Sequence, residues 1–220
     1  MVVLQEQEVV VKGQWRKYMR KRLLIVFVKN AQLGKVKTRL AKTIGAQNAL
    51  DIYHKLTDIT KQVVNEVKIN TKIYFSSAVE NEEWSAYEKY LQEGKDLGYR
   101  MQNAIRQGFK EGYESIALIG SDLPSLSSHI INEAFNQLEQ HDVVIGPAED
   151  GGYYLIGMNK LQASIFKNKS WSQEQLYQET IDDFKSQNLK WHALETLNDI
   201  DTFEDLKDYP HLLNSIEKTC

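Results

Sequence analysis

The sequence predicts an α/β fold with a mainly parallel sheet. Segments that read as strands alternate with segments of helical periodicity along most of the chain. The first strand, Leu23 to Val28, is a continuous apolar run, the pattern of a strand covered on both faces. One close spacing modifies the picture. "DVVIG" (142–146) and "YYLIGM" (153–158) are separated only by "PAEDGG", so one strand there is expected to run antiparallel.

The elements follow in order. "NAQLGKVKTRLAKTIG" (30–45) reads as a loop rich in basic residues. Apolar residues at 49, 52, 53, 56, 59, 63 and 67 keep helical spacing and predict a helix over 46–67. "TKIYFSS" is a second strand, Glu82 to Leu91 a short helix and "QEGKDLG" a loop. Met101, Ala104, Ile105 and Phe109 mark another helix, and Ser115 to Ile119 a strand. Ile130, Ile131, Ala134, Phe135 and Leu138 define a helix capped by Ser127 or Ser128. Ser172 with Gln175 has capping-box form and predicts a helix to about Gln187. "KWHALET" is a late strand, and Thr202 caps a last helical segment.

The 220 residues show no repeat, low-complexity segment or linker, so one domain is expected over 19–220. "KGQWRKYMRKR", Lys12 to Arg22, holds six basic residues and no acid. No apolar core of about 7–15 residues follows it, which argues against a secretory signal. Residues 1–18 read as a basic N-terminal extension, with Met19 a candidate start. No apolar run approaches the ~20 residues of a membrane helix. The single cysteine, Cys220, excludes an intramolecular disulfide and fits a reducing cytoplasm. A net charge of -3 makes no case for nucleic-acid binding.

Candidate chemistry collects at strand ends, where ligands of open α/β sheets sit. Asp122 follows the strand "SIALI", and Pro124 keeps the chain extended or turning there. Asp122 reads either as a ligand for a hard divalent cation, which takes one or two carboxylates plus phosphate oxygens, or as an acceptor for turn amides. In "LNDIDTFEDL", Asp199 and Asp201 share a face if extended; the alternative is a capped acidic turn. In "GPAEDGGYYLIG", Glu149 and Asp150 precede Gly151 and Gly152, which permit close approach to the backbone; a tight turn is the alternative. Lys29, Gly34, Lys35, Lys37 and Arg39 follow the first strand. In extended form the cations at 35, 37 and 39 share one face and suit a polyphosphate; solvated surface charge is the alternative. Neither a P-loop nor a G-x-G-x-x-G motif is present. Asp96 and Arg100 read as a helix cap and loop, or as phosphate contacts beside the same rim.

"FVKNAQLGKVKTRL", "GKDLGYRMQNAI", "LIGSDLPSL", "GPAEDGGYYLIG", "WS" at 171–172 and "DIDTFEDL" occur in that order. Together they resemble a bacterial family of transferases with the GT-A-like, nucleotide-diphospho-sugar transferase fold, also labelled radical-SAM/selenodomain-associated transferases. The resemblance spans Met19 to Leu206. More distantly, "VKTRL" resembles the opening loop of phospholactate guanylyltransferases, and "DIDTFEDL" the closing motif of sugar and molybdenum-cofactor nucleotidyltransferases. The resemblance implies a single-domain three-layer sandwich. It also implies Mg²⁺ or Mn²⁺ held by Asp122 and Asp201. Two departures stand out. Ser121-Asp122-Leu123 replaces the D-x-D of GT-A glycosyltransferases, and "FVKNAQLGKVKTRL" replaces the nucleotidyltransferases' L-A-A-G-x-S-x-R-M-G.

The expectation is a transferase that moves a glycosyl group from a nucleotide sugar to a small-molecule acceptor. Asp122 and Asp150 would be catalytic, and Glu149, Gly151 and Gly152 would lie on the acceptor side. Lys29, Gly34, Lys35, Lys37, Arg39, Asp96 and Arg100 would hold the nucleotide and its phosphates. Nucleotidyl transfer from a nucleoside triphosphate is the alternative, and a non-catalytic nucleotide-binding partner the second.

Overall fold

A computed structural model of the chain describes residues 21–214 and 216. The expectations for residues 1–18, Met19 and Cys220 lie outside them. Among the described residues seven strands form one sheet: β1 (Arg22–Val28), β2 (Asn70–Phe75), β3 (Glu88–Leu91), β4 (Ser115–Ile119), β5 (Val143–Pro147), β6 (Tyr153–Met158) and β7 (Trp191–Ala193). Their order is 3-2-1-4-6-5-7. The helices are α1 (Thr38–Ile44), α2 (Ala46–Val67), α3 (Leu97–Lys110), α4 (Ser128–Gln137), α5 (Leu176–Ser186), α6 (Phe203–Lys207) and α7 (Pro210–Leu213).

The apolar run of β1 is explained by its place. It pairs in parallel with β2 on one edge and β4 on the other, Val26 lying opposite Ile73 and Ile119. Alternate side chains enter two cores. Leu24, Val26 and Val28 meet Val63 and Val64 of α2 and Ile131 and Phe135 of α4. Leu23, Ile25 and Phe27 meet Met101 and Ile105 of α3 and Ile181 and Phe184 of α5. The result is one α/β domain, a mostly parallel mixed sheet between two helical layers. β6 is the reversed strand, antiparallel to both β4 and β5. The five-residue link 148–152 allows a hairpin but no crossover helix.

A third apolar cluster lies beyond the sheet. Leu40 of α1, Ala49, Ile52 and Leu56 of α2, and Ile200, Leu206 and Leu212 pack together, all buried. Burying side chains of this size contributes roughly 1.5–3 kcal/mol each. This cluster carries the 199–206 segment back to the loop after β1.

Three local expectations need correction. Glu82 to Leu91 is not a helix. Trp84 takes a left-handed φ of 55°, and residues 88–91 form the edge strand β3, whose Tyr90 stacks on Tyr74 at 5.1 Å. The basic stretch 30–45 is not wholly loop, because Leu40, Ala41 and Ile44 give α1 an apolar side facing the third cluster. Lys35, Lys37 and Arg39 therefore do not share an extended face. The helix expected from Ser172 begins at Leu176. Ser172 has φ 64°, and Gln175 makes no side-chain cap bond. Instead the Tyr177 amide donates to the Gly151 carbonyl at 2.8 Å. Ser127 and Thr202 do cap α4 and α6, the latter as a capping box with Asp205.

Candidate active site

The ends of β1 and β4 are joined through a tyrosine. The Tyr53 hydroxyl donates to the Lys29 carbonyl at 2.8 Å, accepts from the Lys29 amide at 3.0 Å and lies 3.3 Å from the Ser121 hydroxyl. Beyond Lys29 the chain turns at Gly34 (φ 75°), and the Lys35 amide donates to the Gln32 carbonyl. Val36 is buried and anchors the returning chain.

Lys37 then caps α1 with φ 46°, a left-handed conformation that costs a non-glycine residue roughly 1–2 kcal/mol. That geometry sends its side chain inward. It is only 3% exposed, and its ammonium lies 2.9 Å from the Asp122 carboxylate. Burial works against the Asp122 charge, but the Lys37 and Lys29 ammonium groups override it and hold the carboxyl below the ordinary aspartate range. Burial likewise works against Lys37, and Asp122, with Asp199 and Asp201 behind it, holds its pKa above the ordinary lysine value. Both partners are therefore charged. Two residues on, Arg39 reaches Asp201 at 2.7 Å, an exposed pair.

The Asp150 loop is built differently. Asp150 accepts from the Gly152 amide at 2.8 Å, closing an Asx turn. Gly151 has φ 83°, and a Cβ there would lie 2.1 Å from the Glu174 carbonyl oxygen, so only glycine fits. The Glu149 amide donates to Leu197, and Leu197 donates to Pro147. These two bonds extend β5 beside the 197–201 segment and bring Asp199 to the rim.

A cleft of 210 Å³ opens at this rim. Asp122, Asp150 and Asp199 line it, with Gly152, Ser172 and Gln173. Leu123, Leu126, Leu176, Tyr153 and Tyr154 supply apolar wall. The Asp199 carboxyl is pushed up to about 6, by burial first; Lys37 pulls it down, while Asp122, Asp150 and Asp201 push it up. A wider concavity of 460 Å³ lies between the β2–β3 edge and α3, away from these acids.

The structure thus brings Asp122, Asp150 and Gly152 together, with Lys37, Arg39 and Asp201 adjoining through ion pairs. Gly34, Lys35 and Glu149 are exposed. Asp96 caps α3 by accepting from the Tyr99 amide at 2.9 Å, and the next residue, Leu97, lines the cleft. The Arg100 side chain donates to the Gly94 carbonyl at 3.3 Å. The sequence reading did not single out Tyr53, Ser121, Tyr153 or Tyr154 as site residues. It paired Asp199 with Asp201 as an acidic candidate and assigned only Asp201 to the metal. Spacing gave no signal for Tyr53, which sits at an apolar position of an amphipathic helix.

Among the described residues no three His, Cys, Asp or Glu side chains are grouped to hold one metal ion. Magnesium on a nucleotide needs only one or two carboxylates besides phosphate and water oxygens. Burial first, and then Asp122, Asp150 and Asp201, raise the Asp199 carboxyl, and grouped carboxylates are the donor chemistry such a cation relieves.

The fold is that of the nucleotide-diphospho-sugar transferase and nucleotidyltransferase superfamily, with GT-A-like topology. The chain belongs to the family described as uncharacterized proteins conserved in bacteria (DUF2064), whose profile matches residues 58–173. A candidate nucleotide-diphospho-sugar transferase from Desulfovibrio desulfuricans is 32% identical, with a TM-score of 0.82 over 90% of both chains. The 2-phospho-L-lactate guanylyltransferase of Methanocaldococcus vulcanius is 25% identical over 83% of this chain and 82% of its own. A Mycobacterium tuberculosis protein crystallised with manganese shares the fold at 12% identity, with a TM-score of 0.54 over 89% of this chain and 100% of its own. Among the described residues no helix is long and apolar enough to cross a membrane.

Proposed function

We propose that this chain is a nucleotidyltransferase that uses a nucleoside triphosphate with Mg²⁺ or Mn²⁺, modifies a hydroxyl of a small acceptor and releases pyrophosphate. The observation that carries this reading is the buried Lys37 ammonium, held on Asp122 at the strand end by a strained backbone. The loop after β1 thereby sets a fixed charge where a polyphosphate would meet the sheet. The guanylyltransferase relative favours nucleotidyl over glycosyl transfer, the reverse of the sequence-based preference.

Asp122 and Asp201 would hold the cation, with Asp199 close by. A divalent cation there supplies Lewis-acid charge on the phosphates. Lys37 and Arg39 give up their carboxylates as phosphate oxygens arrive, and with Lys29 and Lys35 they stabilise the charge building on the leaving group. Gly34 lets that loop turn. Asp150 orients the acceptor hydroxyl and takes its proton, Gly151 and Gly152 hold its loop, and Glu149 stands at the outer lip. Asp96 and Arg100 fix the start of α3 beside the nucleotide.

Glycosyl transfer from a nucleotide sugar is the second reading, favoured by the description of the 32% identical Desulfovibrio protein. The test is incubation with Mg²⁺ or Mn²⁺ and a panel of nucleoside triphosphates and nucleotide sugars, read by thermal shift and mass spectrometry. Stabilisation by one triphosphate with slow pyrophosphate release is the expected result. Cleavage of a nucleotide sugar alone would move the assignment to glycosyl transfer. Nucleotide binding without metal and without any product would leave a binding partner only.

A further inference from the structure

Strand pairing between β1 and β4 stops short of the site. Its last matched residues are Val26 and Ile119, and β4 ends there. Lys29 and Asp122 each stand three residues farther along their chains. What joins the chains beyond the ladder is Tyr53 of α2. Its hydroxyl donates to the Lys29 carbonyl at 2.8 Å and accepts from the Lys29 amide at 3.0 Å. A phenol oxygen offers one proton and two acceptor sites. Lys29 takes the proton and one acceptor site, so at 3.3 Å the Ser121 hydroxyl is the donor. Every capacity of the phenol oxygen is then used. Tyr53 is 2% exposed and Ser121 3%. Burial pushes the Tyr53 phenol up from its ordinary value, which keeps the proton on it.

The same turn of α2 receives the late acidic segment. Ile52 and Leu56, which flank Tyr53, share the third cluster with Ile200, the residue between Asp199 and Asp201. Leu40, which follows Arg39, belongs to that cluster too. One helical turn thus meets the loop after β1, the end of β4 and the 199–201 segment, the pieces that carry the charges of the site. Tyr53 adds direction, because hydrogen bonds fix distance and angle where apolar packing fixes only contact. We infer that Tyr53 is a positioning residue: its hydroxyl sets the gap between Lys29 and Asp122, across which the cation and the phosphates must fit. The inference rests on the transferase reading of this rim. Protein groups saturate the hydroxyl, so it acts through Lys29 and Ser121 and not on substrate. A misplacement of about 1 Å at a distance from the chemistry can lower turnover by about 10²-fold. Without the hydroxyl, Lys29 and Asp122 lose the link that fixes them where charge builds on the leaving group.

The test compares the parent chain with Tyr53→Phe, Ser121→Ala, the double variant and Thr60→Val. Thr60 is buried on α2 and donates to the Leu56 carbonyl, so its variant disturbs the helix and spares the Tyr53 contacts. Turnover is followed in magnesium with the donor the parent uses, as pyrophosphate released from a triphosphate or as cleavage of a nucleotide sugar. Circular dichroism melts establish that each variant is folded at the assay temperature. Tyr53→Phe is expected to lower kcat at least about tenfold and to leave KM within about threefold. Ser121→Ala should lower kcat less, and should add nothing in the Tyr53→Phe background, because it acts through that hydroxyl. Thr60→Val should keep the parental kcat. A parental kcat in folded Tyr53→Phe would overturn the inference and leave the transferase reading standing. An equal loss in Thr60→Val would overturn it as well, since any disturbance of α2 would then have the same effect. Should Tyr53→Phe not fold, Ser121→Ala decides alone, and a parental kcat there would overturn the inference. A parent that cleaves no donor sinks the reading and the inference together.

Discussion

The Arg39 guanidinium and the Asp201 carboxylate, 162 residues apart in sequence, meet at 2.7 Å. Neither side chain is buried, so the contact is not what holds the two segments together. Leu40 and Ile200, the apolar neighbours of the pair, do that from inside the third cluster.

Arg39→Ala should therefore leave stability within about 1 kcal/mol of the parent, the range for exposed ion pairs. It should weaken magnesium–triphosphate binding. Chemical denaturation and calorimetric titration on the same samples separate the two effects. A stability loss far above that range would show that the pair is structural.

Asp122→Asn leaves the Lys37 ammonium without its counter-charge in a site where it is 3% exposed. Breaking a fully buried pair costs about 3–5 kcal/mol, and Asp122 is partly open, so about 2–3 kcal/mol is expected here. Urea denaturation at neutral pH measures it. An unchanged midpoint would mean that water already screens Lys37.

Asp199 gives a pH signature. Its folded pKa of about 6 lies above the ordinary aspartate value of 3.8. The folded state then binds more protons than the unfolded state between those values, so this carboxyl makes stability fall as pH rises through that window. Above it the penalty is constant, at about 3 kcal/mol. Lys37, Asp122, Asp150 and Asp201 are the charged groups that set it. Asp199→Asn should stabilise the protein at pH 7.5 and leave it nearly unchanged at pH 4. A variant equally stabilising at both would locate the effect elsewhere.

Much of the fold was legible because its elements announce themselves. β1 is apolar throughout, and α2 keeps seven apolar positions at helical spacing over 46–67. The hairpin of β5 and β6 followed from a link too short for a crossover. Edge strand β3 was not legible, since "EKYL" has neither a buried run nor clean alternation and its conformation is fixed by pairing with β2. Helix α1 was hidden by its basic residues. At the site, strand-end position identified Asp122 and Asp150. It could not show that Lys37 turns inward while Lys35 stays out, because a left-handed φ at a lysine is dictated by the anchored residues around it. Asp199 outweighing Asp201 in the cleft depends on the bridge between Leu197 and Ala148, a long-range pairing with no local motif.

That bridge also fixes the order in which the site can be assembled. Asp122 and Asp150 stand on the sheet and its hairpin, but Asp199 and Asp201 arrive on a segment that docks only after β5 exists to receive it. During synthesis the basic loop emerges early and waits for most of the chain to be made before its Asp201 partner appears. A nascent chain stalled before residue 197 would display the cations and lack half of the acids that balance them. Such an intermediate would carry an excess of positive charge at this rim until the last segment settles.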